Sequence, residues 1–476
     1  MIFKIWSIAW KNIWRNKIRS LVVITSVSLG LFGGTMAVGI MTGWIEQRIN
    51  SAIYYEISHV QVHHQDYMLN EELKFTIPDY QKLKSVLDTL TGIKAWSPRA
   101  KTFVMAQSDW AATGLTIKAF DKEKEEQVSK IQECIIEGDF FLKESKTPSI
   151  IIGSKAAEDL KLLNYQIDSI KLNKLDTTIY PKTILSKLEE VSHNRFRKEK
   201  DFEDAISKVL SAEEMQLYGE RLISNFAFYR LGAKLTLTFT DSAGNVLPSA
   251  FRVTGIYKTS NTIFDGTAAF IKYRDWQAVT GFSHENFHEI AIVCEDNEAA
   301  IKVSKALKDN YPKLSTLNWK EISPDLGYMV EMMKVIDFIY VGIIMLALAF
   351  GIINTMLMAV LERSKEIGML MAIGMNKKRL FLMIMLESVF LTLTGAVIGI
   401  FVSAILISYL GKTGVNFSMW TEGFEAMGYS AIVFPALTLN NYIKIGLLVI
   451  GTGIISSLWP ARKALKLNPV EALRTE

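Results

Sequence analysis

Hydrophobic residues gather in four long runs along this chain. Residues 20–45 are 26 positions without a charge, residues 338–361 are 24, and residues 380–411 are interrupted only by Glu387. The fourth run is shorter and covers 442–461, with one lysine inside it. Since a bilayer core requires about 20 mostly apolar residues in a helix, the first three runs predict membrane-spanning helices. The fourth predicts a marginal one, with a buried core helix as the alternative.

The segment before the first run, residues 1–19, predicts a further helix. A secretory signal is the competing interpretation, but the apolar run that follows is too long and lacks a small-residue cleavage site before Trp44. We therefore expect an uncleaved anchor. Apolar side chains at helical spacing among basic residues are typical of a helix on a membrane surface, and here they are Ile2, Trp6, Ala9 and Ile13.

Residues 46–337 mix helical and strand periodicities. The helical patterns predict helices at 78–90 and 296–311. The sequence therefore predicts a large α+β domain between the first and second membrane helices. Apolar and alternating runs predict its strands, at 94–106, 149–153, 235–240, 251–257 and 289–294.

Within this segment, residues 164–229 differ from their surroundings. Helical patterns cover most of them, and Ser211 and Glu214 have the spacing of a capping box. We interpret these residues as a helical insertion, with an ordinary part of the domain core as the alternative. The predicted helices are 181–188, 202–210 and 212–223.

Composition and charge give the layout an orientation. With 49% hydrophobic and 21% charged residues, the chain is neither disordered nor a nucleic-acid-binding protein. The short segments 1–19, 362–379 and 462–476 hold 14 basic and four acidic residues, whereas 46–337 has a net charge of −5. Short basic segments stay in the cytoplasm. Both termini are therefore expected inside a bacterial inner membrane, with 46–337 and the loop 412–441 outside.

Motifs for metal or nucleotide chemistry receive little support. On a strand, His59 and His63 would lie about 13 Å apart, too far to share a metal ion, and His64 would face the other side. Gly411-Lys412-Thr413 resembles the end of a phosphate-binding loop, but the glycine required five residues earlier is Leu406. We expect no catalytic residue, metal or cofactor in this chain.

Cys134 and Cys294 are the only cysteines, which excludes a disulfide-rich scaffold. Both fall in the predicted outer domain, where a disulfide would persist. The sequence leaves their pairing open.

The most informative segment is 362–379, ERSKEIGMLMAIGMNKKR. It predicts a short cytoplasmic helix between the second and third spans, with Gly368 and Gly374 allowing another surface to approach closely. A solvated hairpin is the alternative, but such a loop has little reason to present Met369, Leu370 and Met371 to water. A docking surface for a cytoplasmic partner is therefore the preferred interpretation.

Glu387, in the third run, is a second functional candidate. An ionisable residue inside a membrane is costly and usually functional. A single carboxylate is nevertheless weak support for an ion-coupled transporter. In the same run, the small residues Gly395 and Gly399 predict close packing against a neighbouring helix.

Two segments carry a family resemblance: ERSKEIGMLMAIGMNKKRLFLMIMLESVFL, from residue 362, and PARKALKLNPVEALR, from residue 460. They resemble signatures of the FtsX-like (MacB/LolC/LolE-type) permeases of ABC transporters. WKNIWRNKIRS, HVQVHHQDY and IIGSKAAEDLKL are more similar to the lipoprotein-releasing branch, and RLGAKLTLTF and FRVTGIY match the end of the outer domain. Residues 164–229 interrupt the resemblance.

The resemblance implies a permease that pairs with a second copy or a paralogue and with a separate ATPase, which binds the ATP and magnesium. ATP-driven closure would pull on a coupling helix, and residues 320–361 would carry the movement outward as a stalk. Glu387 matches the family's glutamate in the third helix. The implied ATPase-coupling positions are Glu362, Arg363, Glu366, Ile367, Gly368, Leu370, Ala372 and Gly374.

The resemblance further implies extraction of lipoproteins from the membrane, with a periplasmic lipoprotein chaperone or another outer-domain partner. Export of a peptide, drug or other periplasmic substrate is one alternative, and signalling to a cell-wall hydrolase is another. The residues expected to face the substrate are Met41, Trp44 and Ile45 on the first span and Ile336, Phe338 and Ile339 on the second. For Trp44, anchoring at the membrane interface is the competing interpretation.

Overall fold

A computed structural model describes residues 2–15, 17–141, 147–168, 171–172, 175, 180–192, 194–240, 244–282 and 285–466. The end of the C-terminal signature, from residue 467, lies outside the described residues. Contacts divide the chain into two compact units. The helical unit comprises Met1–Arg48, Asp325–Thr421 and Ser430–Glu476, and the α+β unit comprises Ile49–Pro324 and Glu422–Tyr429.

Four helices are long and apolar enough to cross a membrane: Ser20–Ile57, Pro324–Glu362, Lys377–Thr413 and Leu439–Leu465. We call them the first to fourth long helices. The first begins at Lys17, is α-helical to Ser51 and continues as a π-helix over Ala52–Ile57. The helical unit also contains helices Ile2–Arg15 and Ser364–Ala372, a 3₁₀ turn at Ser418–Trp420, and the paired strands Val415–Asn416 and Ile432–Val433. Helix Thr421–Ala426 falls in the α+β unit from Glu422 onward.

The long helices extend beyond the apolar runs that predicted them. The second begins at Pro324, so it includes residues 325–337 as the expected stalk does, and these residues belong to the helical unit rather than to the α+β unit. The fourth has 27 residues, enough to span a bilayer despite its short apolar run. An apolar run marks only the part of a helix that avoids water, and polar turns at either end add no hydropathy signal.

Glycines bring the long helices close together. A Cβ on Gly395 would lie 2.8 Å from Val27, and one on Gly399 would lie 2.8 Å from the carbonyl oxygen of Ser28. The Ser28 hydroxyl donates to the Gly395 carbonyl at 2.9 Å. The close packing expected from Gly395 and Gly399 is thus confirmed, and it joins the first and third long helices.

The α+β unit is built on a ten-stranded mixed sheet in the order β13-β1-β12-β2-β3-β11-β5-β10-β4. Strand β9 pairs with both β10 and β2, so six strands (β2, β3, β11, β5, β10 and β9) form a closed ring. The strands of this sheet are β1 Val60–His64, β2 Ile93–Gln107, β3 Ala112–Phe120, β4 Ile135–Gly138, β5 Ser149–Gly153, β9 Lys234–Thr240, β10 Val246–Tyr257, β11 Ala268–Lys272, β12 Glu289–Cys294 and β13 Leu314–Asn318. A smaller sheet contains β6 Leu163–Gln166, β7 Arg195–Phe196 and β8 Ala227–Tyr229.

The closed ring holds the largest apolar core. Its strands alternate inward and outward residues, and Val104, Leu115 and Phe251 are among those that point inside. The strands predicted from alternation are confirmed, because each has one face in this core or under a helix. The accompanying helices are Tyr67–Asn70, Tyr80–Leu87, Lys122–Val128, Ser154–Asp159, Lys182–Glu189, Glu199–Ser207, Ala212–Phe226, Thr262–Thr267, Tyr273–Thr280, Asn297–Asn310 and Trp319–Ile322, with a 3₁₀ turn at Ile131–Cys134.

The predicted helical insertion proves to be α+β. Besides the three predicted helices, its described residues include a small sheet in the order β7-β6-β8, and a separate apolar core includes Phe202 and Phe226. Strands of two to four residues are too short for alternation to reveal. The second helix spans Glu199–Ser207 rather than 202–210, because acidic residues favour the first turn of a helix. The capping box of Ser211 and Glu214 is confirmed.

A buried ionic cluster lies where the closed ring joins the remaining strands. The Arg99 guanidinium donates to both carboxylate oxygens of Glu125, at 2.6 and 3.0 Å, and to Glu289 at 2.7 Å. Burial alone would raise the pKa of Glu289, but the charges of Lys101, Arg99 and Lys118 hold that pKa well below its usual range. Burial lowers the pKa of Lys118 to about 8.

Replacing Arg99 with methionine should lower the melting temperature of the protein by about 10 °C, because it strands two buried carboxylates at a cost of roughly 3–5 kcal/mol. Below pH 4 the deficit should shrink, since Glu289 contributes its stability above its unfolded pKa and loses it as pH falls. Lys155→Met, at an exposed pair with Asp159, is the matched control and should change little. A deficit independent of pH would contradict this account.

Candidate functional site

The segment between the second and third long helices forms a compact turn–helix–turn. After Glu362 the chain turns at Arg363 and forms the short helix Ser364–Ala372. Gly374, at a φ of +96°, closes this helix: its N–H donates to Met371 O and that of Met375 to Leu370 O. These two bonds form a Schellman motif, which requires a left-handed residue that glycine supplies.

The Asn376 side chain then accepts from the Lys378 N–H at 3.0 Å and caps the third long helix. Hydrogen bonds therefore fix the C-terminal end of the segment. We call residues 362–379 the coupling segment.

The coupling segment has an inner and an outer face. Ile367 and Gly368 are buried within the helical unit, and Leu370 packs against the apolar cluster that contains Leu380. The outer face is exposed and largely apolar: the exposed fraction is 51% for Met369 and 78% for Ile373. Ala372 and Gly374 are exposed beside them, as is Glu362 at the start of the segment.

The two faces divide the predicted coupling residues into buried positions and positions that a partner can reach. Ile367 and Gly368 hold the segment against the helices and are not available to a partner. The largest exposed apolar surface of the segment belongs to Met369, which the sequence indicated as part of a docking surface, and to Ile373, which was absent from the predicted set. Helical spacing could have separated the two faces, but only if the sequence had shown which side the long helices cover.

Arg363 connects the coupling segment to the third long helix. Its guanidinium lies 3.1 Å from both carboxylate oxygens of Glu387 and donates to Glu366 at 2.9 Å. Glu387 is buried, so this pairing removes the cost of its charge in an apolar bundle. Glu387 is therefore not the isolated carboxylate that its sequence context suggested.

The N-terminal helix Ile2–Arg15 joins the same network. Its last residue, Arg15, forms an ion pair with Glu366. The hydrogen bond from Arg15 holds the pKa of Glu366 below its usual value, and Arg363 adds to the effect. Earlier in the same helix, Trp6 and Trp10 pack edge-on against Phe390 of the third long helix. Their ring centres lie 5.3 and 5.7 Å, respectively, from that of Phe390. No local sequence pattern pointed to this tie, because its partners are far apart in the chain.

The predicted substrate-facing residues occupy different surroundings. Trp44 stacks on Phe417 with ring centres 6.5 Å apart, and Met41 and Ile45 are half-buried on the same helix. On the second long helix, Ile336 is half-buried, whereas Ile339 and Phe338 are exposed, the latter by 81%.

The first and second long helices run antiparallel, with Gly30 against Leu348 and Gly34 against Ile344. Continuing this register places residue 41 level with residue 337. The two groups of predicted substrate-facing residues therefore lie at the same end of the helical unit.

The histidines, the cysteines and the Gly411-Lys412-Thr413 motif have structural rather than catalytic surroundings in the described residues. His63 Nδ1 lies 2.9 Å from the His288 carbonyl oxygen, and His59 Nδ1 accepts from the Cys294 N–H at 3.4 Å. Burial lowers the pKa of His59 and His63 to about 4. Cys134 and Cys294 are both free thiols. Gly411-Lys412-Thr413 is the last turn of the third long helix and not a phosphate-binding loop.

Replacing Arg363 with glutamine should lower stability by about 3 kcal/mol, because it removes the guanidinium that bonds the buried Glu387. Arg15→Gln should cost less than about 1 kcal/mol, since the Arg15–Glu366 pair is exposed. Melting of the purified protein in detergent would compare the two. The double variant Arg363→Gln with Glu387→Gln should recover part of the loss. Equal effects of the two arginine variants would show that burial of Glu387 is unimportant.

Comparison with known proteins places the coupling segment in a recognised region. Residues 338–469 match the model of the FtsX-like permease C-terminal domain. An uncharacterized ABC transporter permease of Methanocaldococcus jannaschii is 29% identical over 241 residues, which are 48% of this chain and 55% of the relative. The ABC transporter permease YtrF of Bacillus subtilis is 28% identical over 347 residues, 69% of this chain and 75% of the relative.

The macrolide export ATP-binding/permease protein MacB of Chlorobaculum tepidum is 37% identical over 126 residues, 26% of this chain and 17% of the relative. The chain thus spans about half the length of the archaeal relative and a smaller share of MacB. Among solved structures, the extracellular domain of YknZ from Gram-positive bacteria is similar to part of this chain. The match includes 55% of this chain and 99% of the YknZ domain, at 13% sequence identity. The TM-score of this match is 0.28. Residues 338–469 thus match the FtsX-like permease C-terminal domain, and the chain is similar to permeases of ABC transporters.

Proposed function

We propose that this protein is the membrane subunit of an ABC transporter and that the coupling segment receives a separate cytoplasmic ATPase. The observation that carries the proposal is the outer face of Met369, Ala372 and Ile373, an exposed apolar surface on a segment whose C-terminal end is fixed by hydrogen bonds. Exposed apolar patches rimmed by polar residues mark protein interfaces. ATP and magnesium belong to the partner, and this chain contributes no catalytic group.

The charge distribution supports the orientation in the proposal. The coupling segment and both termini lie in the basic segments, with a combined net charge of +10, so they face the cytoplasm of a bacterial inner membrane. The α+β unit then lies outside. In this arrangement the first and second long helices lead directly from the membrane into the outer unit along the chain.

Movement of the ATPase would be transmitted mechanically. The second long helix has 39 residues, about 58 Å at 1.5 Å per residue, which is nearly twice the hydrocarbon thickness of a bilayer. Its last residue, Glu362, adjoins Arg363, whose guanidinium holds Glu387 on the third long helix. A pull on the coupling segment would thus act on two long helices together. We propose a second copy or a paralogue of this chain as the other half of the membrane assembly.

For the substrate, we propose lipidated proteins taken from the outer leaflet. The support is the exposed apolar surface of Phe338 and Ile339, level with Met41 of the first long helix, together with the sequence resemblance to lipoprotein-releasing permeases. A periplasmic lipoprotein chaperone would be the acceptor. Export of a peptide or drug, and signalling to a cell-wall hydrolase, are the competing outcomes of the test.

Replacing Ile373 with aspartate should abolish stimulation of the partner ATPase and its co-purification, because a charge in the centre of the apolar face must be desolvated on docking. Ile301→Asp is the matched control, since Ile301 is an exposed isoleucine on a helix of the α+β unit. Both variants should fold, because neither position is buried. Unchanged ATP hydrolysis with Ile373→Asp would remove the docking role.

Replacing Phe338 with serine should leave lipoproteins in the inner membrane, because it removes an apolar contact for acyl chains. Phe350→Ser, on the same helix and similarly exposed, controls for loss of a lipid-facing ring elsewhere. Fractionation of inner and outer membranes, followed by detection of a lipoprotein, gives the readout. Correct lipoprotein placement after depletion of the whole protein would refute this substrate class and leave the permease assignment intact.

A further inference from the structure

A groove runs along the helical unit on the side where the first and third long helices meet. Its volume is about 770 Å³, within the range of ligand-binding pockets. Apolar side chains such as Leu21, Leu29 and Phe32 form one wall, and Ile398 and Val402 of the third long helix form the other. Gly399 lies in the same groove, where its missing side chain allows the two helices to touch.

One end of the groove differs from the rest. Trp14 and Lys17 line it there, at the junction of the N-terminal helix with the first long helix. Within the described residues, the Lys17 ammonium has no hydrogen bond or ion pair, whereas nearby Arg15 is paired with Glu366. The surrounding segment 1–19 carries five basic residues and no acidic one. The groove is therefore apolar along its length and positively charged at one end.

We propose that this groove binds one anionic phospholipid of the cytoplasmic leaflet, with an acyl chain along the apolar walls and the phosphate at Lys17. The inference rests on the membrane orientation in the proposed function, because that orientation places Lys17 at the inner membrane surface. Lysine binds phosphate as a point charge, and basic residues beside a membrane helix attract anionic lipids. Trp14, half-exposed beside Lys17, has the amphipathic ring that settles at the headgroup level.

The charge at one end distinguishes this groove from an ordinary lipid-facing surface. Annular lipids cover any apolar helix face and exchange along it without occupying a defined slot. A concave slot with a single cation at its mouth predicts one bound lipid per chain and a preference for an anionic headgroup over a zwitterionic one.

Native mass spectrometry of the full chain, purified in mild detergent without its ATPase, tests the proposal. Phosphatidylglycerol and phosphatidylcholine are added in turn, and the expected result is one tightly retained phosphatidylglycerol. Lys17→Gln should weaken its retention about five-fold, the loss of one lysine's attraction to an anionic lipid. Lys11→Gln is the matched control, because Lys11 is an exposed cation on the adjoining helix that does not line the groove.

Two further variants fill the groove from opposite walls, Thr25→Trp and Val402→Trp, and either one should displace the lipid while leaving Lys17 in place. Having two keeps the test decisive if one fails to fold. Equal losses in Lys17→Gln and Lys11→Gln, or phosphatidylglycerol retained in the filled variants, would overturn the proposal. A change in oligomeric mass in place of lipid loss would overturn it in favour of a second copy as the occupant. None of these readouts depends on ATP hydrolysis. The lipid proposal and the ATPase-docking proposal can therefore fail independently of each other.

Discussion

A carboxylate buried among apolar helices must have a positive partner, and this requirement organises the helical unit. Glu387 is held by Arg363, which lies 24 positions earlier in the turn between two helices. Because the guanidinium bonds both oxygens of Glu387 and also reaches Glu366, the turn has one favourable position against the third long helix. The position of this turn also sets the position of the short helix that follows. Arg15 attaches the N-terminal helix to that short helix through Glu366.

The α+β unit uses the same device for a different purpose. Arg99 lies between Glu125 and Glu289 as Arg363 lies between Glu366 and Glu387, but the exposures differ. The Arg99 cluster is closed to water, with side-chain exposures of 5, 3 and 0%. In the Arg363 network, Glu366 is 43% exposed and so can be reached by another molecule. The first arrangement fixes a junction between strands, whereas the second places a charged group beside a docking face.

Much of the architecture was readable from the sequence, because burial imposes a period on regular elements. The strands at 149–153 and 289–294 were predicted to the residue, since each is a run of buried positions. The closure of six strands into a ring was not, because pairing of β9 with β2 joins segments about 130 residues apart. Likewise, hydropathy alone marked the second long helix only from residue 338, because four charged residues interrupt 325–337; the continuous helix was expected only from the resemblance to a stalk.

In the candidate site, too, local sequence predicted the segment but not its long-range contacts. The coupling segment was found from its composition, a charged and apolar stretch where a loop should be polar. Its two faces were not separable, because Ile367 and Ile373 have similar chemistry and only the packing of the long helices buries one and exposes the other. The pairing of Arg363 with Glu387 also depends on the antiparallel fold of two helices, which no local pattern records.

The insertion has a consequence for how this chain could have arisen. It leaves the main fold through β6 and returns through β8, and these strands are antiparallel neighbours in which Leu163 faces Tyr229. Cα atoms opposite each other in such a pair are about 5 Å apart. The two ends of some 60 residues with their own apolar core therefore lie side by side. A segment with that geometry can be gained, lost or exchanged in one genetic event, because a short turn would close the gap and the ring of six strands would keep every pairing it has.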